Sequence, residues 1–391
     1  MALRAPPLRR DATADVLVIG AGISGAMIAE SLTDAGLRVI IVDKREAVSG
    51  ATTASTALLQ YEIDVPMCQL SERVGSKRAL RLWRRSHLAL DALRSRSRRL
   101  DIDAGFRDRD SLYLQGDLLD EAGLRREAAM RREAGFDVQW LSSRQVRQQF
   151  GIAHRAGLLG FGSMSCDPRR LAIGYLQAAR RRGARLYAHT EVSAVQPGRR
   201  GVLASTVSGP TVKAGHLVFA TGYEIGRGVP RKGHRIRSTW AIATHPQPAW
   251  PSGCLIWEAS ESYLYLRPGP HGRVICGGED EDFKDAGHRD SLTPQKARAL
   301  ERKLHALLPK LDQRAALAWS GSFGSSPTGT PSMGAVPGMP GCYAVLGYGG
   351  NGITFSAAAA QLLRAQITGE GDVDADLFSF HRRWPALHGQ R

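Results

Sequence analysis

The sequence predicts an α/β chain in which a Rossmann-like parallel-sheet domain is interrupted by an antiparallel-sheet (α+β) domain. Three observations carry this: a strand–glycine–helix–strand unit at Val16–Asp43, a second strand–glycine–helix turn at Ala344–Leu363, and alternating short strands between them.

Val16–Asp43 reads VLVIGAGISGAMIAESLTDAGLRVIIVD. Val16 to Ile19 are continuously apolar, as a strand buried on both faces of a parallel sheet should be. Gly20, Gly22 and Gly25 then form G-x-G-x-x-G, allowing a tight turn, close approach of backbone to a pyrophosphate, and close helix packing. Ser24 to Ala35 make a helix whose first amides and dipole favour phosphate. Gly36 caps that helix, and Arg38–Val42 make a second buried strand ending in Asp43, which suits ribose hydroxyls. A lone glycine motif is weak, but here every part falls in one unit of the expected length. Asp43 argues against the extra phosphate of NADP, although Lys44 and Arg45 follow it. The unit by itself fits FAD and NAD alike.

A chain of 391 residues with 43% hydrophobic content has room for two domains. No run approaches the roughly 20 apolar residues that cross a bilayer. The opening MALRAPPLRRDATA lacks the apolar core of a secretory signal, so a cytoplasmic location is expected. Cys68, Cys166, Cys254, Cys276 and Cys342 lie far apart, without disulfide or zinc spacing, and no metal is expected. The net charge of +16 and pI near 10.1 invite a nucleic-acid reading. The basic residues are scattered, however: Arg96, Arg98 and Arg99 close one helix, Arg131 and Arg132 sit in another, and Arg180, Arg181 and Arg182 end a third. A solvated basic surface is the better reading, and no specific nucleic-acid partner is expected.

Taken in order, Ser49–Leu59 (SGATTASTALL) has the density of small and hydroxyl residues expected of a loop lying against a ligand. Pro66–Leu100 carries a helical apolar stripe. Ser111–Gln115 reads as a strand, Leu118–Glu133 as a helix and Val138–Leu141 as a strand, a rhythm that belongs to a second domain. Asp167-Pro168 opens an N-capped helix to Arg182. Ala184–Ala188 and Val192–Val195 follow as strands, Gly201–Val207 and Thr211–Lys213 as a hairpin, and His216–Thr221 as a buried strand. Thr239–His245, Cys254–Ala259, Tyr263–Arg267 and Val274–Gly277 make an antiparallel sheet, closed by helix Pro294–Leu308. Ala344–Leu363 (AVLGYGGNGITFSAAAAQLL) then repeats the strand–glycine–helix pattern; FAD is large enough to need two such turns.

The runs GAGISG, VDK, GATTASTALLQYE, CDPRRL, TEV, FATG, YLYLRPGPHGRVICGGEDED, WSGSFG and GYGGNGITFS together resemble the D-amino-acid-oxidase-like family of FAD-dependent amine and amino-acid oxidoreductases. They span nearly the whole chain in order. The resemblance implies an FAD-binding domain of residues 12–90, 150–230 and 318–391, and a substrate domain of 91–149 and 231–317. By it, Gly20, Gly22, Ile23, Ser24, Gly25, Asp43 and Lys44 would hold the adenosine diphosphate part. Thr52, Thr53, Ala57, Leu58 and Leu59 would lie along the pyrophosphate and flavin, and Val192 would contact adenine by its backbone. Ala220, Thr221 and Gly222 would line the nucleotide, and Gly349, Gly350, Asn351, Gly352, Ile353 and Thr354 would set amides against the flavin.

The implied reaction is oxidation of the C–N bond of an amine or amino acid by hydride transfer to flavin N5, giving an imine that hydrolyses. Tyr61, Glu62, Tyr263, Tyr265, Arg267 and Tyr348 are the side chains expected near the chemistry, although buried tyrosines need no function. Two departures stand out. Phe323 occupies the place after W-x-G where family members commonly carry a carboxylate-clamping Arg, which points to amines rather than small amino acids unless Arg267 or Arg273 substitutes. Trp319–Pro331 has no Cys and Leu266–Phe283 no suitable Lys for a sarcosine-type arrangement: noncovalent FAD is expected, with an electron acceptor other than oxygen. A flavin monooxygenase would need a second fingerprint that is missing. An RNA-associated flavoprotein, suggested by charge, and a flavin-binding subunit of a larger dehydrogenase are the alternatives.

Overall fold

The computed structural model describes residues 3–247 and 253–382. β1 (Ala12–Ile19), α1 (Ile23–Asp34) and β2 (Val39–Val42) form the expected opening unit. The small-residue loop contains one helical turn, α2 (Ala51–Ala54), and β3 (Leu58–Leu59). The long apolar stripe is two helices, α3 (Met67–Val74) and α4 (Ser76–Arg99), because Gly75 takes a φ of +85° between them. β4 (Arg107–Leu114) begins earlier than expected, and α5 (Glu121–Glu133) later, because Asp120 caps it by accepting the Gly123 N–H. β5 (Val138–Leu141) leads into α6 (Ser143–Phe150), a helix set by a Ser142–Gln145 capping box. β6 (Gly157–Ser165) and α7 (Pro168–Arg181) follow, the latter capped by Asp167.

β7 (Arg185–Tyr187), β8 (Val192–Gly198) and β9 (Gly201–Thr206) precede β10 (Thr211–Phe219). The expected hairpin arm and buried strand are thus one strand: its first half pairs with β9 and its second with the last strand of the domain. β11 (Arg235–Thr244), β12 (Leu255–Glu258), β13 (Leu264–Pro268) and β14 (Val274–Glu281) come next. After them lie α8 (Ala286–Ser291), α9 (Thr293–Leu307), β15 (Ala315–Ser325), β16 (Ser332–Ala335), β17 (Cys342–Leu346), α10 (Gly352–Thr368) and α11 (Ala375–Phe378).

One sheet has the order β16-β17-β10-β1-β2-β7, parallel from β17 to β7, with β9 and β8 added along β10. The other runs β15-β11-β14-β13-β12-β4-β6-β3, with β5 beside β6; its β12–β4 pair is parallel. The second sheet takes in Leu58–Leu59, Gly157–Ser165 and all of β15, so strands from within the ranges 12–90, 150–230 and 318–391 also pair with the antiparallel sheet. α4 runs through position 90 and packs Leu82, Leu90 and Leu93 into the core of the first sheet's helices. The expected last segment extends to 391, and its residues 383–391 lie outside the described ones.

α1 and α10 meet through small residues and are joined by a 2.8 Å hydrogen bond between the Ser24 and Ser356 hydroxyls. Glu30 on α1 is buried and bonded by Arg96 of α4 and by Arg182, the residue that follows α7, at 2.8 Å, while both arginines also reach Asp34. Both arginines tie α1 to its neighbours; Arg96 is half-buried and departs from the solvated-surface reading, whereas Arg182 stays exposed while making its ion pairs. Arg131 also departs from that reading: it is buried and pairs with Glu127 at 2.7 Å. Among the described residues no helix is long and apolar enough to cross a membrane.

Candidate active site

Where β1 ends, Gly20 takes a φ of +110°, and a Cβ there would lie 2.3 Å from the Ala220 carbonyl oxygen at the end of β10. A Cβ on Gly25 would lie 1.8 Å from the Gly20 carbonyl oxygen, so helix and turn approach each other only over glycine. Gly22 differs: no side chain caps α1 from it, and its Cβ would meet only Thr52 Oγ1, at 3.1 Å. The start of α1 is thereby left open to an anion. The Ile23 N–H donates to Thr52 Oγ1 at 3.0 Å, tying the α2 turn to this opening.

Asp43 is fixed at the mouth of the turn, its Oδ2 accepting the Ala21 N–H at 2.8 Å and its Oδ1 the Arg45 N–H at 2.9 Å. The Thr190 N–H donates to the Asp43 carbonyl at 2.8 Å, which brings Val192 and the start of β8 to the same end. Lys44 and Arg45 both pair with Glu224, so their charges are engaged away from the turn. Ala220, Thr221 and Gly222 follow β10 beside Gly20, held by the Ala220 N–H on the Ile19 carbonyl at 2.9 Å.

The second glycine turn is bonded to residues 60–64. The Gly350 N–H donates to Asp64 Oδ2 at 2.7 Å, Thr354 Oγ1 to the Gln60 carbonyl at 3.0 Å, and Asn351 Nδ2 to the Glu62 carbonyl. Gly352 and Ile353 start α10 there, after Gly349 at a φ of +63°.

Between the two turns lies one face of the antiparallel sheet. Trp240, Ile242, Leu264, Leu266 and Cys276 pack toward Leu300 and Leu304 of α9. Alternation then puts Tyr265 and Arg267 of β13, Arg237 and Thr239 of β11, and Trp319, Gly321 and Phe323 of β15 on the other face. The α2 turn is laid on it: Trp319 Nε1–H donates to the Ala54 carbonyl at 2.9 Å, and a Cβ on Gly321 would touch Ala54 Cβ at 3.4 Å. Asp280 reaches this face through a β-bulge. Trp240 pairs with Gly278 but Ser238 with Glu281, and Glu279 takes a φ of +61°. The extra residue sends Glu279 to Lys296 and Lys303 of α9 and turns Asp280 inward, where it accepts the Tyr263 hydroxyl at 2.6 Å.

Asp64 is exposed, yet burial pushes its carboxyl up to about 6 despite the Gly350 hydrogen bond, and the charge of Asp280 adds to the shift. Tyr223, Tyr263 and Tyr265 likewise keep solvent contact while burial raises their phenols, that of Tyr223 to about 12. Groups that water reaches but that are poorly solvated line an internal cleft. Asp280 is also raised by burial, against the Thr239 and Tyr263 hydrogen bonds and the Arg237 charge.

Residues 15–366 match the family described as FAD dependent oxidoreductase, DAO. The chain belongs to the DAO family. Glycine oxidase from Geobacillus kaustophilus is 27% identical over 385 residues, covering 94% of this chain and 96% of that protein. The tRNA 5-methylaminomethyl-2-thiouridine biosynthesis bifunctional protein MnmC of Burkholderia thailandensis is 26% identical over 409 residues, covering 93% of this chain and 58% of that protein. The crystal structure of the Geobacillus kaustophilus glycine oxidase superposes with a TM-score of 0.77 at 22% identity, covering 95% of this chain and 99% of that one. L-Proline dehydrogenase from P. horikoshii gives 0.78 at 18% identity, covering 95% and 97%. Both superpositions establish the fold.

As a DAO-family member the protein is an FAD-dependent amine or amino-acid oxidoreductase. The residues present fit that cofactor: the start of α1 is uncapped over Gly22, Asp43 stands at its mouth, and a second glycine turn faces the cleft 307 positions on, from Asp43 to Gly350. Thr52 joins α1, whereas Thr53 Oγ1 turns back to the Gly50 carbonyl at 2.9 Å. Ala57 takes a φ of +52° ahead of Leu58 and Leu59, which pair with β6.

The side chains expected near the chemistry divide sharply. Tyr263 and Tyr265 line the cleft. Tyr61, Glu62 and Tyr348 do not, being 1%, 1% and 3% exposed. Tyr61 stacks on Phe136 with ring centroids 5.5 Å apart, Glu62 lies 4.0 Å from Arg131, and Tyr348 packs against Ser24 and Ser356. Arg267 is buried with its donors on the carbonyls of Thr56, Pro268 and Cys166, and burial lowers it to about 10. Arg273 donates to the Thr244 carbonyl at 2.7 Å. Sequence reasoning passed over Asp64, Arg237, Thr239 and Asp280. The one available signal was Gly277-Gly278 inside a strand pattern, which marks a bulge able to re-aim the acidic run after it.

Proposed function

We propose that the cleft oxidises the C–N bond of an amino acid, with Arg237 holding the carboxylate and Asp64 receiving the proton of the amine. The observation that carries this reading is the direct pairing of Arg237 with Phe323 on the cleft face. Side chains opposite each other in an antiparallel ladder have Cβ atoms about 5 Å apart. A guanidinium on β11 therefore serves the spot that a clamp at position 323 would serve. Arg237 has no carboxylate within ion-pair distance among the described residues, although Asp280 lies near enough to feel its charge. This reading departs from the sequence expectation of amines lacking a carboxylate. The similarity to a glycine oxidase and, in fold, to an L-proline dehydrogenase supports it.

When bound, the flavin supplies the acceptor for a hydride from the carbon beside the amine. Only a neutral amine releases that hydride readily, so an incoming ammonium must first lose a proton. Asp64 holds Oδ2 on the Gly350 N–H, and Oδ1 accepts no hydrogen bond among the described residues. With its carboxyl near 6, Asp64 is ionised at neutral pH and basic enough to take that proton at Oδ1. Asp280, steadied by Tyr263, attracts the same ammonium from the sheet side, and Tyr265 and Trp319 wall off water. Noncovalent retention of FAD is supported by the thiols: Cys166, Cys254, Cys276 and Cys342 are buried, and Cys68 lies near Glu127 on α3.

Anaerobic mixing of the holoenzyme with matched pairs, glycine against methylamine and proline against pyrrolidine, tests the reading. Flavin bleaching by the amino acid at concentrations where the amine is inert is expected; preference for the amine in both pairs would refute it.

A further inference from the structure

A second polar cavity lies apart from the flavin cleft, between the C-terminal half of α4 and the outer ends of β4 and β6. It is a solvent-open depression of about 470 Å³. β6 is bulged here, since Arg109 pairs with Ser163 while Ser111 pairs with Gly160. Arg94 seals the bulge by donating to the Gly162 carbonyl at 2.8 Å, and its charge is matched by Asp91 at 3.1 Å and Asp108 at 3.5 Å.

Three other lining groups are not matched. Arg98 is exposed and bonded to no other side chain, and Arg109 makes only a 3.3 Å hydrogen bond to Ser165 Oγ; neither has a carboxylate within ion-pair distance among the described residues. Burial and the neighbouring Arg107 both disfavour the Arg109 charge. Ser163 is fully buried, yet its Oγ has no hydrogen-bond partner. Asp110 and Asp108 are the carboxylates of the lining; Asp108 is paired with Arg94, and burial raises the carboxyl of Asp110. Two guanidinium groups and a buried, unpartnered hydroxyl lining one pocket are a donor set that an oxyanion satisfies.

We infer that this cavity is a binding site for a small oxyanion, a phosphate or carboxylate group held by Arg98, Arg109 and Ser163. None of its lining residues is among those placed at the catalytic cleft, and oxyanion binding there does not depend on which substrate the flavin oxidises. Asp110 limits affinity by repelling the anion.

Calorimetric titration of the flavin-loaded protein in low-chloride buffer, once with inorganic phosphate and once with succinate, tests this and shows which oxyanion is preferred. Loading with FAD keeps the probe out of the nucleotide cradle. Saturable binding of one equivalent is expected, with R98A and R109A each weakening it roughly ten- to hundredfold, as for a lost charge-assisted hydrogen bond. D110N should tighten it. Arg98 makes no side-chain contact whose loss would unfold the protein, so R98A and D110N carry the test even if R109A misfolds; retained flavin absorbance reports folding. No saturable binding of either anion in the tens of millimolar, unchanged affinity in R98A, or weaker binding in D110N would overturn the assignment.

Discussion

Arg237 and Phe323 stand directly opposite each other in the β11–β15 ladder, with the guanidinium carbon 5.9 Å from the ring centroid. The aromatic face supports the cation that, in the proposed reading, takes over the role of the missing clamp. If the two positions serve one spot, the clamp should be movable. R237A is expected to raise the dissociation constant of an amino acid, read from flavin spectral change, by roughly tenfold or more. F323R in that background should recover part of the loss. Recovery of none, with FAD still bound, would separate the two positions.

Asp64 gives the reaction a pH signature. Its carboxyl near 6 predicts that flavin reduction at saturating substrate rises with pH through about 6, as Oδ1 becomes free to accept a proton. D64N should abolish that limb. Stability moves oppositely: the folded pKa lies above the unfolded value, so the folded state binds the extra proton between about 4 and 6 and loses stability as pH rises through that window. D64N should therefore melt higher than wild type at pH 7 and no higher at pH 4.

The glycines of the first turn should fail in different ways. G22V fills the open start of α1 and is expected to give folded protein without FAD, because its Cβ meets only Thr52 Oγ1. G25A drives a Cβ into the Gly20 carbonyl and should lower thermal stability itself. From wild type, acid precipitation should release free FAD; flavin retained on the precipitate would disprove noncovalent binding.

Glu62 offers a negative control inside the motif. It is buried away from the cleft, so E62Q should keep the wild-type rate of flavin reduction. R131A leaves Glu127 buried without its cation and should cost about 3–5 kcal/mol by denaturant titration.

The parallel sheet and both glycine turns were legible because their signals are local: continuous apolar strands, punctuating glycines, and an acid at the end of the second strand. Sheet membership was not, since Leu58–Leu59 joins the antiparallel sheet only through a partner more than 100 positions away. The proposed wall of the cleft was half legible. Tyr263 and Tyr265 followed from strand alternation, but Asp280 changes face at a bulge, and an alternating pattern carries no warning of a register shift. Glu62 and Asp64 share one short segment, and only the tertiary fold decides that the first is buried beside Arg131 and the second faces the cleft. Charge misled in the same way: Arg96 and Arg131 look like solvated surface until Glu30 and Glu127 are seen beside them.

The most direct measurement is anaerobic stopped-flow reduction of wild type and R237A by one reactive amino acid, resolving substrate affinity from the limiting rate. Weaker affinity by tenfold or more in R237A, with the flavin still bound and the acid limb near pH 6 still present, is the predicted result. Unchanged affinity in R237A would contradict the assignment of Arg237 as the carboxylate clamp.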